Sequence, residues 1–190
     1  MARESEQPSL FGFEAAPRDK HLILMIYPDQ QARVEAHARA RSYQADNGLG
    51  GAVFDPHLMH VTLGHFDYWD EVPASLVERI SRAASKLSIA PFEVSFDQIG
   101  GFPRNVVLRG GEGLKALEAF QAALRQTLAW EKLDGSHMSF TPHVTVIYGQ
   151  PGAVVAAIEP VTWTVKDFAL VVSHQGKGQH EVLARYPLVG

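Results

Sequence analysis

The chain of 190 residues contains no cysteine. Disulfides, thiol nucleophiles and cysteine-ligated metals are therefore excluded. Long apolar runs are missing too: the longest, residues 22–27, is far short of the ~20 residues that span a bilayer. The first residues carry Glu4, Glu6 and Pro8 and lack the apolar centre of a secretory signal, so a cytoplasmic location is expected. Positive charge is not in excess. Seventeen Lys and Arg stand against 21 Asp and Glu, a formal charge of −4. That does not suit wrapping around a nucleic-acid backbone, and leaves a small charged ligand or the end of a nucleic acid as partner. No Gly-x-Ser-x-Gly elbow occurs, and no Gly-rich loop runs into Lys-Ser or Lys-Thr, so the serine-hydrolase and P-loop chemistries have no motif here.

What is present reads as a folded domain. Residues 1–19 form an expected loose tail with one apolar patch at Leu10, Phe11 and Phe13, and residues 20–190 a single domain. Apolar runs, alternations and helical stripes predict strands at 21–27, 59–66, 92–97, 105–109 and 142–148. A long strand follows at 161–173, and a closing strand at 180–188. Helices are predicted at 29–46, 73–87 and 113–130, with a short one at 154–158. Gly100-Gly101 and Gly176-Lys177-Gly178 read as turns, and residues 134–139 as a polar loop. Several strand pairs are joined by connections too short for parallel crossovers. The expectation is an α+β fold with mostly antiparallel sheets, flanked by helices.

One stretch occurs twice, as His60-Val61-Thr62-Leu63 and His143-Val144-Thr145-Val146. On a strand the His and Thr share one face and the two aliphatics the other. Each copy thus anchors itself in a core and offers one imidazole and one hydroxyl. A metal site competes for His57, His60 and His65, because zinc favours imidazole. On a regular strand, however, His60 and His65 face opposite sides, and no matching ligand recurs beside the second copy. No metal and no cofactor is expected. Two imidazoles titrating near pH ~6.5 can divide the work of base and acid, and two hydroxyls can donate to oxygens on which charge develops. In-line displacement at phosphorus, with attacking and leaving oxygens on opposite sides, suits such a pair. A non-catalytic nucleotide or RNA-end binding module using the same groove is the rival reading.

These residues resemble the paired motifs of the two-histidine (2H) phosphoesterases, in the bacterial 2′-5′ RNA ligase and 2′,3′-cyclic phosphodiesterase branch. Phe140-Thr141-Pro142 before the second copy, and Phe168, Leu170, Ser173, Val182-Leu183 and Tyr186-Pro187-Leu188 near the end, extend the likeness over about residues 20–190. The resemblance implies a bilobed, pseudo-twofold fold with a groove between lobes. It also implies hydrolysis of 2′,3′-cyclic phosphate ends of RNA or small nucleotides, with 2′-5′ ligation in some members. His60 would be the general acid, His143 the general base, and Thr62 and Thr145 the phosphate ligands. RNA-directed members often carry an Arg shortly after the second motif, where Ile147 and Tyr148 stand here. Arg104, Arg109 or Lys177 would have to replace it. Phe102, Arg104, Tyr148 and His174 are candidate substrate contacts, although regular alternation turns Tyr148 toward the core. A monomer with no membrane association is expected.

Overall fold

A computed structural model describes residues 18–133, 140–150 and 153–190. Most of the expected tail and the polar loop at 134–139 lie outside the described residues. Strand β1 is Lys20–Ile26, and helix α1, Gln30–Asp46, follows at once. Asp29 caps α1 by accepting a hydrogen bond from Ala32 N at 2.9 Å, which satisfies a donor that the helix itself leaves open. Strand β2 is Val61–Trp69, helix α2 Ala74–Ala84, strand β3 Phe92–Gly101 and strand β4 Asn105–Arg109. Helix α3 is Lys115–Trp130, and strands β5 (Val144–Tyr148), β6 (Ala156–Val165), β7 (Asp167–His174) and β8 (Gln179–Pro187) complete the chain.

The strands form two four-stranded sheets, ordered β2-β1-β7-β8 and β5-β4-β3-β6. Every neighbouring pair is antiparallel. Each motif strand is thus the edge of its own sheet, with one strand of equivalent role beside it. Helices α2 and α3 cover the first sheet: Ser81 Oγ and Tyr186 Oη lie 2.8 Å apart, and the Phe120 and Phe168 rings meet at 5.3 Å. Helix α1 lies against the second sheet through a stripe of small residues, Ala32, Ala36 and Ala40, that lets it approach closely. Val61, Leu63, Val144 and Val146 are all buried in one core, as the alternation in both motifs requires.

Three expectations are corrected. Residues 154–158 do not form a helix: Ala156 and Ala157 pair with Ile99 and Gln98 of β3. A short apolar run has no decisive period, and the open edge of β3 decided it. The single strand expected over 161–173 is two strands in different sheets. Val165 pairs with Phe92 in one and Asp167 with Pro187 in the other, so the chain changes sheet at Lys166. Gly100 and Gly101 do not turn the chain but lie on β3. There a Cβ would come within 2.6 Å of Val155 Cα and 2.5 Å of Ala153 O, so the passing segment 153–155 demands glycine.

Candidate active site

The two motifs are built alike to the residue. Thr62 pairs with Met25 and Gly64 with Leu24, so Leu63 is an extra residue, a β-bulge. Thr145 pairs with Val107 and Ile147 with Val106, so Val146 is the same bulge in the second copy. A bulged carbonyl loses its ladder partner, yet both are satisfied. Gln121 Nε2 of α3 donates to Leu63 O at 3.1 Å, and Phe54 N donates to Val146 O at 2.8 Å. Leaving either buried carbonyl bare would cost about 1–3 kcal/mol.

Each imidazole is tethered in the same way. His60 Nδ1 donates to Leu58 O at 2.7 Å, and His143 Nδ1 donates to Thr141 O at 2.7 Å. A carbonyl can only accept, so Nδ1 carries the proton and Nε2 is left as the exchanging nitrogen of both rings. A charge on His143 also opposes protonation of His60. Burial is the larger influence on His60 and pushes its pKa down to about 4, with His180 adding to the effect and the Leu58 carbonyl opposing it. His60 is therefore neutral near pH 7.

His60 opens into a cavity of about 470 Å³ with Phe54, Tyr148, Ser173, His174 and His180 along its walls. Two of the predicted contacts, Tyr148 and His174, are among these residues. Tyr148 reaches the cavity because the bulge at Val146 reverses the alternation. Val146 and Ile147 are both buried, and Tyr148, paired with Asn105, returns to the face of Thr145. Its ring meets Phe54 edge-on at 4.9 Å. The bulge at Leu63 does the same for His65, which pairs with Ile23 and shares the face of Thr62, contrary to the expectation from regular alternation. Among the described residues no three His, Asp or Glu side chains form a metal-ligand set. Exposed His57 is not drawn in with His60 and His65.

Phe102 stacks on His143, with centroids 4.8 Å apart and planes at 24°. Arg104 stands exposed in the β3–β4 turn and does not line the cavity. Lys177 is held by Asp19 at 2.5 Å, and Arg109 ends β4 opposite Gln98. None of these three cations lines the cavity at His60. The residue that sequence reasoning passed over is His180. Its ring meets that of His60 at 5.2 Å, and its Nδ1 shares a hydrogen bond with Tyr27 Oη at 3.0 Å. Burial lowers the pKa of His180 as well. The only sequence signal was its position opposite Ser173 across a Gly-Lys-Gly hairpin.

An α+β fold of two antiparallel sheets, with a His-x-Thr-x strand at the edge of each, defines an enzyme of the 2H phosphoesterase type. A model of the 2′-5′ RNA ligase superfamily matches residues 27–177, and the chain belongs to that superfamily. No curated protein matches it in sequence. Among solved structures it is similar to a phosphoesterase (TM-score 0.71, 22% identity, covering 90% of this chain and 99% of that one). It is also similar to LigT of E. coli in apo form (TM-score 0.68, 24% identity, 90% and 98%) and to TT0787 of Thermus thermophilus (TM-score 0.67, 24% identity, 90% and 98%). Among the described residues no helix is long and apolar enough to cross a membrane.

Proposed function

We propose that the chain hydrolyses 2′,3′-cyclic phosphate ends of RNA or small nucleotides, with His60 and His143 as the acid–base pair and no metal in the reaction. The observation that carries this reading is the matched tethering of the two imidazoles, which presents one Nε2 from each sheet. Water gives a proton to one Nε2 as its oxygen attacks phosphorus. One ring P–O bond breaks, and the departing ribose oxygen takes a proton from the other Nε2. Thr62 and Thr145, at equal register on their sheets, donate to the non-bridging oxygens as charge grows there. The resemblance gives His60 the acid role. Since burial holds His60 neutral, it must take up its proton from solvent as the phosphodiester binds, whose negative charge favours the imidazolium. LigT of E. coli, of the same fold, has been crystallised with 3′-AMP and with phosphate, which supports a nucleotide-bearing groove in this chain. The walls agree: an aromatic pair, Phe54 and Tyr148, faces polar Ser173, His174 and His180.

Incubation with 2′,3′-cyclic mononucleotides, with and without a chelator, tests the reading. Conversion to a nucleoside monophosphate at the same rate in both arms is expected. Binding without product across all four bases would replace the enzyme reading with a binding module. Loss of turnover on chelation would overturn the metal-free scheme.

A further inference from the structure

A second cavity is larger than the one at His60. It measures about 650 Å³ and is lined by Tyr27, Arg33, His57, Lys166, Asp167 and Arg185, among others. Its position follows from the register of the first sheet, where paired residues share a face. Met25 pairs with Thr62 and with Ala169, and Ala169 pairs with Arg185; Ser173 pairs with His180. The face that carries Thr62 and His180 therefore also carries Arg185, across an apolar floor of Ile23, Met25, Ala169 and Val171 against which Tyr27 packs. The two cavities are neighbours. Phe54 and Leu58 line the first and Pro56 and His57 the second, while the Tyr27 hydroxyl binds the first cavity's His180 and its ring lines the second.

The chemistry of the second cavity is cationic within an acidic chain. The guanidiniums of Arg33 and Arg185 lie 5.4 and 5.7 Å from the Tyr27 ring centroid. Lys166 is exposed beside them. Both nearby carboxylates are engaged, Asp29 in capping α1 and Asp167 with Arg185 Nη1 at 2.8 Å. Arg33 uses Nε on Pro28 O, and Arg185 uses one Nη, so each fork retains further N–H donors suited to phosphate oxygens. The volume suits a nucleotide-sized group.

On the reading of the His60 site given above, we infer that this cavity is a second nucleotide subsite, one that takes the phosphodiester adjoining the reacting cyclic end. A terminal ribose closed at its 2′ and 3′ oxygens continues the strand through its 5′ oxygen, and that phosphate is the group the cations receive. The chain then prefers oligonucleotides to mononucleotides.

The test is a ratio: kcat/KM for a 2′,3′-cyclic tetranucleotide over that for the mononucleotide with the same terminal base. The expected ratio is at least about tenfold. Arg33→Ala and Lys166→Ala each cut it several-fold, the double variant brings it near one, and Arg33→Lys falls between. A ratio cancels a general loss of folded protein, and Arg185 is left in place because its removal would also free Asp167. A wild-type ratio near one, or a ratio that the variants leave unchanged, overturns the inference. So does inorganic phosphate altering mononucleotide turnover through Lys166 without any oligomer preference, which would mark an anion effector site. If the wild type hydrolyses neither substrate, the proposed reaction fails, and calorimetry then judges the subsite alone. A 3′-phosphorylated tetranucleotide binding about tenfold tighter than a nucleoside 3′-phosphate, with the gain lost in both variants, supports it; equal affinities overturn it.

Discussion

The His60 half and the His143 half share a backbone and differ in what surrounds it. Bulge position, pairing register and the carbonyl tether two residues upstream are the same in both. The neighbours are not. His60 is packed into a cavity wall against a third imidazole, His180, whereas His143 lies against the face of Phe102. The first bulge is closed by a side chain from α3, the second by a backbone N–H that precedes the first motif. A duplicated frame places two equivalent groups, so the division into acid and base proposed above would have to come from their unequal surroundings.

The largest effect tests that division. His60→Ala and His143→Ala should each lower kcat/KM on a cyclic nucleotide by roughly 10²–10⁴-fold, and the double variant should fall well short of the product, because the pair acts as a unit. A phosphodiester with a 4-nitrophenolate leaving group needs no proton on departure. It should restore much of the activity of the acid variant alone, which the resemblance makes His60→Ala. Rescue of His143→Ala instead would exchange the roles; rescue of both, or neither, would mean the halves have not diverged in function.

A smaller effect probes the difference between the bulge closures. Gln121→Leu keeps the bulk on α3 but strips Leu63 O of its donor. The expected loss is about 2 kcal/mol, or roughly 4–8 °C in melting midpoint for a chain of this size. An unchanged midpoint would mean that the Leu63 bulge is not held by that bond.

The motif tetrapeptides were legible because period-2 burial needs only four residues, and all four aliphatics are buried as read. The bulges were not legible, since an extra residue exists only relative to a partner strand, and β1 and β4 lie far away in sequence. That one omission misplaced both Tyr148 and His65, each three residues past its motif Thr. The crossing at Lys166 left a trace that was available. Val161, Trp163 and Val165 are buried in alternation, whereas Phe168 to Val172 are buried without a break, and a change from half-buried to fully buried pattern is a change of sheet environment. Nothing local marked His180, because its role comes from Tyr27 and His60, contributed by two other elements.

The smallest expected effect separates the halves by stability. Folded His60 binds a proton more weakly than the unfolded chain does, with a pKa near 4 against 6.5. Between those values the unfolded state therefore takes up more protons, and the folded state loses stability as pH falls from about 6.5 to 4, with nothing further lost from this group below that. Burial displaces His180 and His21 in the same direction, so they add to the same slope. Full conversion of the His60 shift would give about 3 kcal/mol. Its ring is partly open to the cavity, so solvent reduces this, and about 1–2 kcal/mol is expected. Urea unfolding at pH 4, 5, 6 and 7 measures the slope, and carboxylates contribute equally to wild type and variants. In His60→Asn the decline toward pH 4 should be shallower by about that amount, and in His180→Asn by less. A slope unaltered in His60→Asn would mean that the surroundings of His60 do not oppose its protonation, and the acid–base asymmetry of the two halves would then have to originate with the bound substrate.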